Sequence, residues 1–277
     1  MKKILFSTLL IGCLATANAQ GIKTPSPSTT SSVKQEFGLS AIDLSYSRPN
    51  MKGRKIFGDL VPYNAVWRTG ANSATTLTFG DDVTIGGKKI PAGKYGLLTI
   101  PGASEWTIII TKQTDVTSPS AYKQDQDVVR VKATPQQLPF AIETFTIMFG
   151  DVKSSSVELG MMWDQTYVAL PISTDIESKV MAQIDQAMNK DNKPYFQSAM
   201  YYVETGKDLN KANEWFDKAI AQNPDAFWIY YQKASALAKL GKKQEALAAS
   251  NKSVELAKAA KNDDYVALNT KLQATLK

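Results

Sequence analysis

Apolar and polar residues alternate with a period of two through much of the first 172 positions. Ala41 to Tyr46 puts Ile42, Leu44 and Tyr46 on one face, and Thr75 to Phe79 sets Leu77 and Phe79 between threonines. That period marks strands with one face buried. Val83-Thr84-Ile85, Gly86-Gly87 and Lys88-Lys89-Ile90 read as a tight hairpin, because two consecutive glycines accept the positive φ of a primed turn. Lys94 to Ile100, Trp106 to Thr111, Phe145 to Phe149, Ser156 to Trp163 and Tyr167 to Ile172 are further short runs, β-branched or aromatic, separated by Gly, Pro, Asp or Ser. No convincing helical stretch interrupts them. The pattern therefore predicts a mostly β N-terminal domain, an antiparallel β-sandwich of jelly-roll-like kind.

After Thr174 the period becomes helical. Ile176, Val180, Ile184 and Met188 recur every fourth residue and define one helix face, with Ser173 or Thr174 placed as the N-cap. An internal repeat follows. Gly206 and Gly241 are 35 residues apart, while Ala212 and Ala246, Phe216 and Ser250, and Ala219 and Ser253 are each 34 apart. This register resembles the tetratricopeptide repeat. Tyr195, Ala199, Tyr202, Gly206, Ala212, Phe216, Ala219 and Pro224 fill the positions of a first copy. Tyr230, Ala234, Leu237, Gly241, Ala246 and Ser253 fill those of a second. A last helix from Asp264 to Leu276 is expected to cap the pair. Two copies are fewer than the three that usually stand alone, so the layer is expected to pack on the β domain. An ordinary helical bundle with packed alanines is the alternative. The resemblance implies a protein partner on the repeats, with Tyr195, Tyr201, Tyr202, Trp215, Phe227, Trp228, Tyr230 and Tyr231 as a dense aromatic set.

Lys2 and Lys3, the apolar run Ile4 to Leu14 and the triplet Ala17-Asn18-Ala19 follow the grammar of a signal peptide, 1–19. At about eleven residues the apolar run falls short of the roughly twenty that cross a bilayer. Cleavage after Ala19 implies a periplasmic or secreted protein. The alternative is a lipoprotein box, Leu10-Ile11-Gly12-Cys13, which would lipidate Cys13 and attach the chain to a membrane. Gln20 to Ser32, with Pro25, Pro27 and a Ser/Thr run, reads as a flexible leader. The expected organisation is thus signal 1–19, leader 20–32, β domain 33–172 and helical domain 173–277.

Composition narrows the chemistry. The chain has no histidine, and its one cysteine is Cys13. Ser-His-Asp and Cys-His nucleophiles, His/Cys zinc sites, His-held haem and disulfides are excluded from the mature chain. No cofactor or metal site is expected. Asp81-Asp82 and Asp125-Gln126-Asp127 lack the spacing of a calcium loop and read as polar turns. The formal charge is +6, two units of which come from Lys2 and Lys3, and no dense basic run marks a nucleic-acid surface.

One block is more specific. Arg54-Lys55-Ile56-Phe57-Gly58-Asp59-Leu60-Val61-Pro62-Tyr63, followed by Val66-Trp67-Arg68-Thr69-Gly70-Ala71-Asn72, resembles an exported domain-of-unknown-function family, numbered 2911. The likeness continues through Ile90 to Leu97, Ile100-Pro101-Gly102 and Glu105-Trp106-Thr107, and covers roughly residues 35–172. Where that family shows Asn-Glu-Ala-Thr, this chain has Asn72-Ser73-Ala74-Thr75. The resemblance transfers no activity. Enzyme names that some relatives carry, dehydrogenase and amidotransferase, need a dinucleotide glycine loop or an N-terminal nucleophilic cysteine, and this chain has neither.

The same segment holds the candidate site. Arg54, Asp59, Tyr63, Trp67, Arg68 and Asn72 fall within 19 residues of an expected long connection between strands, a favoured place for binding. Guanidinium forks and an indole face suit a glycan or an anionic small ligand. The structural alternative has Arg68 paired with Asp59 or Asp43, Trp67 plugging the sandwich, and Gly70 and Asn72 serving turns. A carboxylate-dependent, glycan-active enzyme would draw on Asp43, Glu105, Asp151, Glu158 or Asp164, though no spacing singles out a pair. The first reading remains a non-catalytic exported binding or assembly protein.

Overall fold

Strand pairing in the β unit follows the alternation closely. The computed structural model describes residues 24–276; the segment read as a signal peptide, Cys13 included, lies outside them. The chain divides into two units, the first ending at Thr174 and the second beginning at Asp175. Ten strands build the first: β1 (Thr29–Phe37), β2 (Ser40–Arg48), β3 (Thr75–Phe79), β4 (Val83–Ile85), β5 (Lys88–Ile90), β6 (Gly93–Ile100), β7 (Trp106–Thr111), β8 (Asp127–Ala133), β9 (Gln136–Gly150) and β10 (Ser156–Ser173). They form a six-stranded sheet ordered β1-β2-β3-β6-β7-β8 and a four-stranded sheet ordered β5-β4-β10-β9. Neighbouring strands within both sheets pair antiparallel.

The two inner faces share one apolar core. Ile42, Leu44, Leu77, Phe79, Leu97, Ile108 and Ile110 come from the larger sheet, and Ile85, Phe145, Leu159, Trp163 and Leu170 from the smaller. A second cluster of Ala74, Leu98, Ile109 and Val116 covers the opposite face of β6 and β7, with Val66, Ile100 and Tyr122 packed on it. Neighbouring residues thus part company: Leu97 enters the main core and Leu98 the satellite, as strand geometry requires.

Three expectations change. The leader is not loose to Ser32, because Thr29 to Ser32 opens β1 and pairs residue by residue with Ser45 to Arg48 of β2. Hydrogen bonding of backbone to backbone holds it there without an apolar signal. Asp127 is not a loop residue but the first of β8, and its carboxylate takes a hydrogen bond from Tyr122 and an ion pair from Arg130 at 3.2 Å. Ser156 to Trp163 and Tyr167 to Ile172 form one strand, β10, whose pairing with β9 shifts register on both sides of Asp164. The interruption in the sequence is that bulge.

Six helices make the second unit: α1 (Glu177–Met188), α2 (Tyr195–Glu204), α3 (Leu209–Gln222), α4 (Phe227–Lys239), α5 (Lys243–Ala259) and α6 (Asp263–Thr275). The α2–α3 and α4–α5 pairs are the two repeat copies, turned at Gly206 (φ 67°) and Gly241 (φ 74°). Neither Ser173 nor Thr174 caps α1. Ser173 ends β10, the Thr174 hydroxyl bonds the Asp82 carbonyl, and Ile176 stands at the N-cap without a side-chain bond, while Asp175 just before it accepts from the Glu177 N–H at 3.1 Å. The α1 stripe of Val180, Ile184 and Met188 packs with Ala199, Ala212, Trp215 and Phe216, giving this unit a core of its own.

The last helix is fixed by polar groups. Asn269 is fully buried, accepts from Ser250 Oγ at 2.8 Å, and donates to Ser253 Oγ at 2.9 Å and Tyr265 O at 2.7 Å. Asn269→Leu leaves these buried groups short of a partner and should cost about 2 kcal/mol. Circular dichroism at 222 nm should show the helical transition lowered by about 10 °C, and an unchanged transition would contradict the network.

Candidate functional site

Between β2 and β3 the chain runs for 26 residues, Pro49 to Ala74, and closes one end of the sandwich. Pro49 O accepts from Phe145 N at 2.9 Å and Met51 N donates to Glu143 O at 2.8 Å, tying the start of the segment to β9. Its far end re-enters the larger sheet, where Trp67 and Thr99 exchange both backbone hydrogen bonds, at 2.7 and 2.9 Å. Between these anchors Ile56 and Val61 dip into the main core.

Trp67 lies at the centre of an aromatic group. It stacks on Trp163 with centroids 5.8 Å apart and planes at 18°, and meets Phe145, Phe57 and Trp106 edge-on. Its Nε1 donates to Gly70 O at 3.0 Å. The indole therefore does plug the sandwich, and one side of it also lines a cavity of about 410 Å³. Arg54 and Arg68 line the same cavity, together with Lys52, Leu60, Val66 and Trp163. Its charged lining residues are all cationic. Pro27, Pro49, Pro62 and Pro119 contribute rigid wall.

The two arginines differ in what remains free. Arg54 donates from Nε to Met51 O at 2.9 Å and from Nη2 to Asn50 O at 2.6 Å, stapling its own loop. Arg68 donates from Nη1 to Thr117 O at 2.7 Å, and its Nε is buried with no partner. It takes neither Asp59 nor Asp43 as a counter-ion: among the described residues its side-chain hydrogen bond goes to a backbone carbonyl.

Three members of the predicted set stand outside the cavity lining. Asp59 is exposed at a turn and Tyr63 lies over Gly58. Asn72, at φ 59°, donates to Ser28 O and Ser47 Oγ at 3.3 and 3.2 Å, so it holds the start of β1 in place. Sequence reasoning missed Lys52, Pro27, Ser28, Pro119 and Trp163 as lining residues. Four of these five come from outside the Arg54–Asn72 stretch by long-range folding, and Lys52 precedes it by two residues.

The carboxylates considered for glycan cleavage do not line this cavity. Glu105 pairs with Lys132 at 2.6 Å, Asp151 with Lys153 at 2.9 Å, and Glu158 accepts from Tyr167. Burial, then the Glu158 hydrogen bond, pushes the Tyr167 phenol up to about 12. Among the described residues no group of three or more His, Cys, Asp or Glu side chains is placed to hold a metal ion, and no helix is long and apolar enough to cross a membrane.

In the helical unit the aromatics mostly pack on one another: Tyr202 meets Trp215 at 4.7 Å, and Tyr265 meets Phe227 and Tyr231 at 4.9 and 5.6 Å. A recess of about 420 Å³ lies between α1 and α2, lined by Val180, Ile184, Ser198 and Tyr201.

Residues 28–172 match the sequence family described as "Protein of unknown function (DUF2911)". Residues 215–248 match a tetratricopeptide repeat, a protein-interaction module in general. No curated protein and no solved structure matches the chain.

Proposed function

The chain belongs to the DUF2911 family of unknown function, its match covering more than half the sequence, and we propose that it is an exported, non-catalytic binding protein. In this reading the β unit takes an anionic small ligand into the cavity beside Trp67, and the repeats dock a protein partner. One observation carries the ligand site: a cavity of about 410 Å³, within the usual range for small-molecule sites, whose charged lining residues are Lys52, Arg54 and Arg68. The tetratricopeptide match supports the partner. The signal grammar of residues 1–19, with its short apolar run, supports export to the periplasm or the medium.

Thermal unfolding of the purified protein against anions, neutral glycans, nucleotides and divalent cations tests the ligand site. An anion at a hundred times its dissociation constant should stabilise the β unit by about 2.7 kcal/mol. A shift produced by neutral glycans alone, or by no ligand, would count against the site.

A further inference from the structure

The repeat register runs past its second copy. Tyr195, Tyr230 and Tyr265 stand 35 residues apart, and so do Tyr202, Leu237 and Leu272. Helix α6 therefore takes the place of the first helix of a third copy. One of its faces is occupied. Tyr265 meets Phe227 edge-on at 4.9 Å, Asn269 bonds Ser250 and Ser253 of α5, and Leu272 and Leu276 pack with Leu237 and Ala246. The other face is bare. Asp264, Ala267, Leu268, Lys271 and Ala274 are all exposed on it. Leu268, 38% exposed, is the one large apolar side chain so exposed among the described residues of the helical unit. The outermost helix of a repeat array ordinarily turns a polar face to water. Here a leucine and two alanines take that place, and Asp264 and Lys271 flank the leucine. Neither charge has an ion-pair partner among the described residues.

This face is complementary to itself reversed. Asp264 and Lys271 each lie about 5 Å along the helix axis from the point midway between Ala267 and Leu268. Half a rotation about that point brings a second α6 into place with its Lys271 level with Asp264, and its Asp264 level with Lys271. Each Leu268 then lies beside the other copy's Ala267, and the small alanines let the two axes approach. Parallel pairing would instead set like charges level at both positions. We propose that the helical unit self-associates through this face, α6 against the α6 of a second copy, antiparallel and two-fold symmetric. A two-fold contact uses the same patch on both copies, which a self-complementary face satisfies. It also lengthens the stack: two copies and half of a third fall short of the three repeats that usually stand alone. One helix face buries less than the roughly 1,000 Å² of a stable interface, so the dimer is weak, and its charge pairs make it sensitive to salt.

Sedimentation velocity of the purified protein, from micromolar to millimolar concentration, should show a monomer–dimer equilibrium that weakens as salt is raised. Asp264→Lys and Lys271→Glu each set like charges level twice in the dimer, and each should weaken it at least about fivefold. The double variant Asp264→Lys/Lys271→Glu reverses both pairs and should restore the dimer to within about threefold of the wild-type affinity. Leu268→Asp should abolish it. Circular dichroism at 222 nm checks that each variant keeps its helices. In the wild-type protein, the amide exchange that slows with rising concentration should be confined to α6, a readout that needs no variant. A monomer at every concentration overturns the proposal and leaves the face to another occupant. A dimer that survives Leu268→Asp, or slowed exchange outside α6, places the contact elsewhere and overturns it too. A double variant that associates no better than the single ones overturns the antiparallel pairing.

Discussion

Trp163→Ala is expected to destabilise the β unit by about 3–5 kcal/mol, the range for removing a large buried aromatic from a core. Trp163 sits on the inner face of β10, almost wholly buried, with its ring stacked on Trp67. Phe145 and Phe57 close on it at 5.7 and 6.3 Å, and its Nε1 donates to Glu143 O at 3.2 Å. Glu143 O also accepts from Met51 N, so the lost hydrogen bond is the smaller part of the cost. The larger part is the void. Trp163 lines both the aromatic core and the cavity, and its removal would join the two spaces rather than let the walls collapse. Trp163→Phe keeps most of the volume and should lose about 1–2 kcal/mol. Urea unfolding followed by near-ultraviolet circular dichroism measures both. A cost below about 1.5 kcal/mol for the alanine variant would show that the cluster is not the clamp its geometry describes.

How much of this was written in the sequence depends on whether a residue's role is local. The hairpin of β4 and β5 is fixed by alternation and by two glycines at φ 57° and 75°, and it forms at the residues the pattern marks. Trp106 to Thr111 likewise becomes β7 without a change of bounds. The edge strand β1 was hidden because most of its side chains point to solvent; only Phe37 is buried, and the strand is held by backbone bonds to β2. β8 was hidden for a related reason. Val128, Val129 and Val131 are only partly buried on an edge, and the flanking Asp125 and Asp127 read as a turn. In the helical unit the repeat register was legible because alanine spacing reports helix contacts directly, whereas the start of α1 was not, because the Thr174 hydroxyl that could have capped it bonds the Asp82 carbonyl instead.

The site divides along the same line. Arg54, Trp67 and Arg68 were visible as chemistry on a long connection, and all three line the cavity. Asp59, Tyr63 and Asn72 share the segment but not the cavity, because the connection turns repeatedly between its anchors on β9 and β6. The hydrogen bonding of Arg68 was out of reach of sequence reading. It depends on Thr117, 49 residues away, taking Nη1, while Nε is buried without a partner.

Gly96→Ala is expected to cost about 3 kcal/mol, at the upper end for adding one methyl group to a packed site. A Cβ on Gly96 would fall 2.0 Å from Gln113 O and 3.0 Å from Thr111 Cγ2. The obstacle is backbone, and that backbone cannot easily yield. Gln113 donates from Nε2 to Ala121 O at 3.1 Å and accepts at Oε1 from Lys123 N at 2.6 Å, pinning the crossing to the next turn. Gly96 itself is held on both sides, paired with Thr76 of β3 and Thr111 of β7. Relief would have to come from moving the 112–122 loop outward. That loop carries Thr117, which orients Arg68, and Pro119, which walls the cavity. The variant should therefore lower the melting temperature of the β unit by about 6–12 °C. It should also weaken anion binding at the cavity under conditions where it remains folded. A stable Gly96→Ala protein with full affinity would mean that the crossing moves without disturbing Arg68, and that the guanidinium is held by something other than the Thr117 carbonyl.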